Sequence, residues 1–180
     1  LLESRGLGDV YKRQMIKNLI KKGFQLKVYD INPKITKRLD KDNIKTVNNL
    51  RAVANNKFII SILPDTQNVE SVFNTDSGII SYLKPGTIVI DMSTISSSSA
   101  IEIGKVLQKQ QIEFLDAPVS GGVKGALNAN LSIMVGGKKD TYKKSLDILN
   151  AIGENIVYAG KYGMGQVFKM CNQIMVGTHI

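Results

Sequence analysis

Two segments hold the side chains best suited to chemistry. Lys169 follows a glycine-rich joint, Gly160–Gly165 (GKYGMG), at the start of an apolar helix expected over Gln166–Ile180, and Asn172 lies one turn further on the same face. A lysine aimed into a cleft beside a cationic cofactor ring has a depressed pKa and exchanges a proton near neutrality, while an amide at Asn172 orients a hydroxyl or a carboxylate. The competing reading is an exposed helix start. Ala117–Gly125 (APVSGGVKG) is the second segment. Its glycines, Gly121 and Gly122 among them, let backbone N–H groups converge on one point after a strand, and the Ser120 hydroxyl adds a donor. Such a concavity takes an anion such as a carboxylate; a plain glycine turn is the alternative.

Three further candidates end apolar or alternating runs. Asp30 closes QLKVYD, 22 positions after Gly8. An acid there accepts hydrogen bonds from an adenosine ribose and repels a 2′-phosphate, which favours NAD over NADP, with Lys34 and Lys37 nearby leaving NADP possible. Otherwise Asp30 caps the Asn32-Pro33 turn. Leu63-Pro64 follows FIISIL, where Pro64 fixes a turn and shapes an apolar wall. Ser93-Thr94 follows TIVIDM, and these hydroxyls either bond a cofactor or cap the next helix.

The elements that must position these residues alternate along the chain. Met15, Ile16, Leu19 and Ile20 form one helical face closed by Gly23. Strands are expected at Gln25–Asp30, Phe58–Leu63, Thr87–Met92, Ile112–Asp116, Leu131–Val135 and Asn155–Tyr158. Helices are expected after Asn32-Pro33 and at Val69–Phe73, Gly78–Leu83, Ser96–Gln110 and Thr141–Ala151. Buried strands alternating with helices predict an α/β, Rossmann-like, doubly wound and mostly parallel sheet, with ligands beyond the strands' carboxyl ends.

Composition narrows the classes. With 180 residues and 43% apolar content, the chain suits one full domain, or one domain plus part of another. The net charge of +9 is spread in ones and twos with few aromatics among the lysines, so a solvated basic surface is expected and no nucleic-acid site; a steep salt dependence of DNA affinity would argue for one. No apolar run is long enough for a membrane span. A single cysteine, Cys171, excludes a disulfide framework and a cysteine zinc site and suits a reducing cytoplasm; no metal ligands stand out, and His179 has no assigned role.

Both ends are unusual. Gly6-x-Gly8 begins a dinucleotide fingerprint, but Tyr11 stands where the third glycine belongs, and Leu1–Arg5 carries Glu3, Ser4 and Arg5 rather than a buried strand. Leu1–Gln14 resembles translated sequencing-adaptor read-through, so residues 1–14 are expected to be a non-native leader, with a degenerate native loop as the alternative; resequencing the locus decides. Residues 15–162 are then a dinucleotide-binding domain lacking its first strand, and 163–180 start a truncated helical domain.

In order, MIKNLIKKG, VYDINP, ILPDTQNVESV, DMSTIS, DAPVSGGVKGA, LSIMVGG and GMGQVFKMCNQ resemble the β-hydroxyacid dehydrogenase family. That family includes 3-hydroxyisobutyrate dehydrogenase and tartronate semialdehyde reductase, with 6-phosphogluconate dehydrogenase more distant. The resemblance implies a Rossmann domain followed by an all-helical one, NAD(P)-dependent oxidation of a small β-hydroxy acid, and a homo-oligomer at full length. It implies that Ser120, Gly121 and Gly122 hold the substrate, that Lys169 is the catalytic acid/base assisted by Asn172, and that Leu63, Pro64 and Thr94 contact the cofactor. Ala129-Asn130 stands where relatives usually have Gly-Thr. The Lys-x-x-Asn-Gln ending argues against a 6-phosphogluconate substrate, and retention of Lys169 argues against an imine-reducing role. A non-catalytic dinucleotide- or partner-binding module is the other reading, and the fragment by itself is expected to be inert.

Overall fold

A computed structural model describes residues 7–41, 44–73, 76 and 78–178. Gly6, the Leu1–Arg5 tract, His179 and Ile180 lie outside the described residues. Helix α1 (Leu7–Lys21) runs without a break across position 14, burying Met15, Ile16 and Leu19, and Gly23 ends it at φ +90° as expected of a C-terminal cap. Helices α2 (Pro33–Lys41) and α3 (Leu50–Ala54) follow.

Three parallel strands form the centre: β1 (Phe58–Ser61), β2 (Ile88–Asp91) and β3 (Glu113–Asp116). Eight of their twelve residues are apolar, the polar ones falling at strand ends, because both sheet faces are covered and no alternation is required. On one face Val89, Ile59 and Phe114 pack with α4 (Thr66–Val72), a 3-10 turn at Ile79–Tyr82 and α5 (Ser97–Lys109). On the other, Ile88, Ile90 and Leu115 pack with Met15 and Leu19 of α1 and with Ile148 and Leu149 of α7 (Lys139–Asn150). Fully burying each such side chain contributes about 1.5–3 kcal/mol. Ser96 caps α5, its hydroxyl accepting the Ser99 N–H at 3.0 Å.

The remaining strands turn the sheet mixed. β5 (Leu131–Gly137) runs antiparallel to β3 at Gly136-Gly137 and to the two-residue β4 (Val119–Ser120) at Ser132-Ile133, while β6 (Gly153–Gly160) pairs parallel on its other edge. The parallel pairs therefore outnumber the antiparallel ones among the described residues. Helix α8 (Met164–Thr178) closes the described chain.

Two expectations need correction. Gln25–Asp30 is not a strand: it makes one parallel bridge, Val28 with Thr46, in which the Val28 N–H donates to Lys45 O and the Val47 N–H to Val28 O. A ladder requires successive pairs, and the facing segment meets Val28 at a single point. Ala117–Gly125 is not an open loop throughout. Val119-Ser120 pairs with β5, and a short helix α6 (Gly122–Leu127) begins inside the glycine run.

Candidate functional site

β1, β2 and β3 all end at the same edge of the sheet, so the segments after Ser61, Asp91 and Asp116 converge there. A cleft of about 390 Å³ at this edge is lined by Leu63, Pro64, Ser93, Thr94, Ser120, Gly121, Gly122 and Lys169, together with Tyr11 and Gln173. Eight of the ten residues proposed from sequence as site residues thus meet in one place, and Asn172 touches it through Ser120.

Lys169 is only 7% exposed. Burial holds its amine below the ordinary lysine range, and Nζ donates to Gln173 Oε1 at 3.1 Å. One turn on, Asn172 Nδ2 donates to Ser120 Oγ at 3.1 Å, joining α8 to β4. Gly121 (φ +129°) and Gly122 (φ +60°) make the bend between β4 and α6 in conformations that L side chains rarely adopt, and a Cβ at Gly121 would press on Leu131 at 3.2 Å.

The strand-end hydroxyls divide. Ser93 Oγ is buried, donating to Asp91 Oδ1 at 2.6 Å and accepting the Leu63 N–H at 2.8 Å. It neither caps α5, a role Ser96 takes, nor offers a free hydroxyl; it holds the Leu63-Pro64 turn against β2. Thr94 and Pro64 are exposed on the cleft. Asp30 sits elsewhere, in a mixed recess with Tyr29, Ile31, Pro33, Thr46 and Asn48. Its Oδ1 accepts the Asn32 N–H at 2.8 Å, so it makes the turn anticipated as its bland role while also lining that recess.

Four participants escaped the sequence reading. Gln173 faces Lys169 in the cleft, and Tyr11 lines its wall with a buried hydroxyl whose ionisation burial suppresses. Asp116 and Gln166 fasten the start of α8: the Asp116 carboxylate accepts N–H groups of Gly163 and Gln166, and the Gln166 amide bonds Ile95 N and Ser93 O. A glutamine among the first residues of a largely apolar helix was the visible signal; Asp116 had none beyond ending a strand.

The donor set fits a dinucleotide. An acid lines one recess, beside Thr46 and Asn48, as a ribose would need, and an apolar turn, an exposed threonine and a lysine border a second recess suited to a nicotinamide. Among the described residues no three His, Cys, Asp or Glu side chains are grouped to hold a metal ion, and no helix is long and apolar enough to cross a membrane.

Comparison with known proteins bears on the family and the fold. Residues 6–160 match the family model described as the NAD binding domain of 6-phosphogluconate dehydrogenase. The chain is 37% identical to human mitochondrial 3-hydroxyisobutyrate dehydrogenase, over 96% of this chain and 53% of that protein. Against the NAD-dependent L-serine dehydrogenase of Pseudomonas aeruginosa it is 37% identical, over 96% of this chain and 60% of the relative. The solved 3-hydroxyisobutyrate dehydrogenase of Mycobacterium tuberculosis with L-serine superposes at a TM-score of 0.87, with 31% identity over 95% of this chain and 58% of that one. This chain therefore spans between about half and three-fifths of the length of these relatives. The match over residues 6–160 places the chain in the family of NAD-binding domains of the 6-phosphogluconate dehydrogenase type, whose members similar to it include 3-hydroxyisobutyrate dehydrogenases and related hydroxyacid dehydrogenases.

Proposed function

We propose that this chain is the larger part of an NAD-dependent dehydrogenase, with NADP as a possible cofactor, that interconverts a small β-hydroxy acid and its semialdehyde. The observation that carries this reading is Lys169: a buried amine on the same cleft as the Ser120–Gly122 bend. The bend and Ser120 grip the substrate carboxylate, and Asn172, held to Ser120, orients the substrate. Lys169 in its neutral form takes the hydroxyl proton in oxidation and returns it in reduction. When bound, the nicotinamide supplies the hydride acceptor or donor. Leu63, Pro64 and Thr94 border that ring, Ser93 braces the Leu63 turn, and Asp30 binds the adenosine ribose.

The substrates named for the relatives support the class. 3-Hydroxyisobutyrate and L-serine each carry a hydroxymethyl group β to a carboxylate. A carboxylate-gripping bend beside a proton-exchanging amine suits that spacing. Residues 15–162 form the dinucleotide-binding unit in this reading, residues 163–180 open a helical domain that helps form a homo-oligomer, and the location is cytoplasmic, beside relatives whose names place them in mitochondria.

A second reading is supported by Tyr11, whose ring stands on the cleft wall at the third-glycine position. There the chain is a non-catalytic module whose cleft is partly filled. Turnover of 3-hydroxyisobutyrate and L-serine by the full-length protein, followed by formation of reduced nicotinamide with NAD and then NADP, decides. Activity that falls by about a thousandfold in Lys169→Ala supports the dehydrogenase. Turnover in that variant equal to the parent's refutes it, and a strong preference for NADP refutes the assignment of Asp30.

A further inference from the structure

We propose that Asp116 is the positioning residue for Lys169: from the end of β3 it grips the first turn of α8 by two backbone N–H groups and thereby aims the amine into the cleft. The inference rests on the reading of Lys169 as the acid/base.

Beyond its closely packed start, helix α8 is little covered. Phe168, Met170, Ile174 and Met175 are each at least 43% exposed, while the residues buried on this helix are Gly165, Gln166 and Lys169. The direction of the Lys169 side chain therefore depends on what fastens the turn before it. Asp116 Oδ1 accepts the Gly163 N–H at 2.8 Å and Oδ2 accepts the Gln166 N–H at 3.2 Å. Gln166 adds a second fastening through Ile95 N and Ser93 O, and Ser97 Oγ donates to Gly163 O. Lys169 follows Gln166 by three residues, on the next turn.

The recess around Asp116 is built for the carboxylate. A Cβ at Gly136 would meet Asp116 Oδ1 at 2.5 Å, and one at Gly165 would meet Oδ2 at 2.8 Å, so glycine at both positions leaves the room it occupies. Both oxygens are used at a helix start, where unpaired N–H groups and the helix dipole favour an anion. Asp116 is fully buried, and burial pushes its carboxyl up to about 6 despite those bonds. An ionised group held there opposes folding at neutral pH. Two directional bonds at the base of the Lys169 turn are what the charge provides in exchange.

The test uses backbone amide exchange and the side-chain titration of Lys169, read by NMR in the 180-residue chain. In Asp116→Asn, which keeps the shape and one acceptor, exchange at Gly163 or Gln166 should quicken about tenfold, as for loss of one such bond. The Lys169 titration should then rise toward the ordinary lysine value as the amine swings into water. Direction is diagnostic, because loss of a nearby negative charge alone would lower it. Glu113→Gln, on the same strand and paired with Lys144, is the control and should leave both readouts unchanged. A folded Asp116→Asn with Lys169 unmoved or shifted down overturns the proposal, as does an equal rise in Glu113→Gln. Turnover does not enter these readouts, so an inactive full-length protein would overturn the proposed function and leave this test intact.

Discussion

Asn172 on α8 and Ser120 on β4, 52 residues apart in sequence, meet at 3.1 Å with the amide donating to the hydroxyl oxygen. This bond ties the glycine bend to the lysine-bearing helix, so Ser120 and Lys169 keep a fixed spacing on the cleft. In a double-mutant cycle of Ser120→Ala and Asn172→Ala, unfolding free energies should show a coupling of about 1 kcal/mol. Strictly additive losses would mean that the contact does not persist in solution.

Lys169 makes a prediction about stability as well as catalysis. Burial lowers its folded pKa below the unfolded value of 10.5. The unfolded chain therefore binds more protons between those two values, and the wild-type protein gains stability as pH rises through that window. Lys169→Met removes the charge at similar volume. It should be more stable than wild type at neutral pH, with the advantage shrinking as pH approaches 10.5, as chemical denaturation at several pH values would record. A constant difference across pH would place the amine in water.

Glycines on α8 should separate sharply. A Cβ at Gly165 would lie 2.5 Å from Asp116 O and also press on Met134 O, both backbone atoms that cannot swing away. Nothing lies within 4 Å of a Cβ at Gly177 on the same helix. Thermal unfolding should show Gly165→Ala destabilised by about 3 kcal/mol through overpacking. Gly177→Ala should be neutral or gain up to about 1 kcal/mol through helix propensity. Equal effects at the two positions would contradict the close approach of α8 to β3 and β5.

How far these relationships were legible in the sequence depends on whether they are local. FIISIL, TIVIDM and LSIMVGG announce buried strands because apolar content alone suffices where both faces are covered, and Ser96 announces a cap. Gln25–Asp30 has equally strand-like residues yet forms only the Val28 bridge, since a strand is defined by its partners rather than by its own pattern. The start of α6 at Gly122 was hidden by glycines that favour a loop reading. Lys169, Ser120 and Asn172 stood out through residue type and resemblance. Asp116 and Gln166 did not, because their importance lies in contacts 47 to 73 positions apart that no local pattern encodes.

The pH response of Asp116 can be worked out in sign and approximate size. Its carboxyl titrates at about 6 when folded, against 3.8 for an aspartate in water. A raised acid pKa means that the folded state holds the proton more tightly. The associated stability is fully present below about pH 4 and is lost as pH rises through about 6. That displacement corresponds to about 3 kcal/mol between those limits. Asp116→Asn cannot titrate, so its stability relative to wild type should improve by about that amount from about pH 4 to about pH 7, whatever the cost of its missing acceptor. Urea unfolding at several pH values across that range measures the change in the difference, and that change is independent of the lost hydrogen bond. A difference that stays flat would mean that the folded carboxyl titrates as in the unfolded chain, with no net burial penalty left after its bonds to the start of α8.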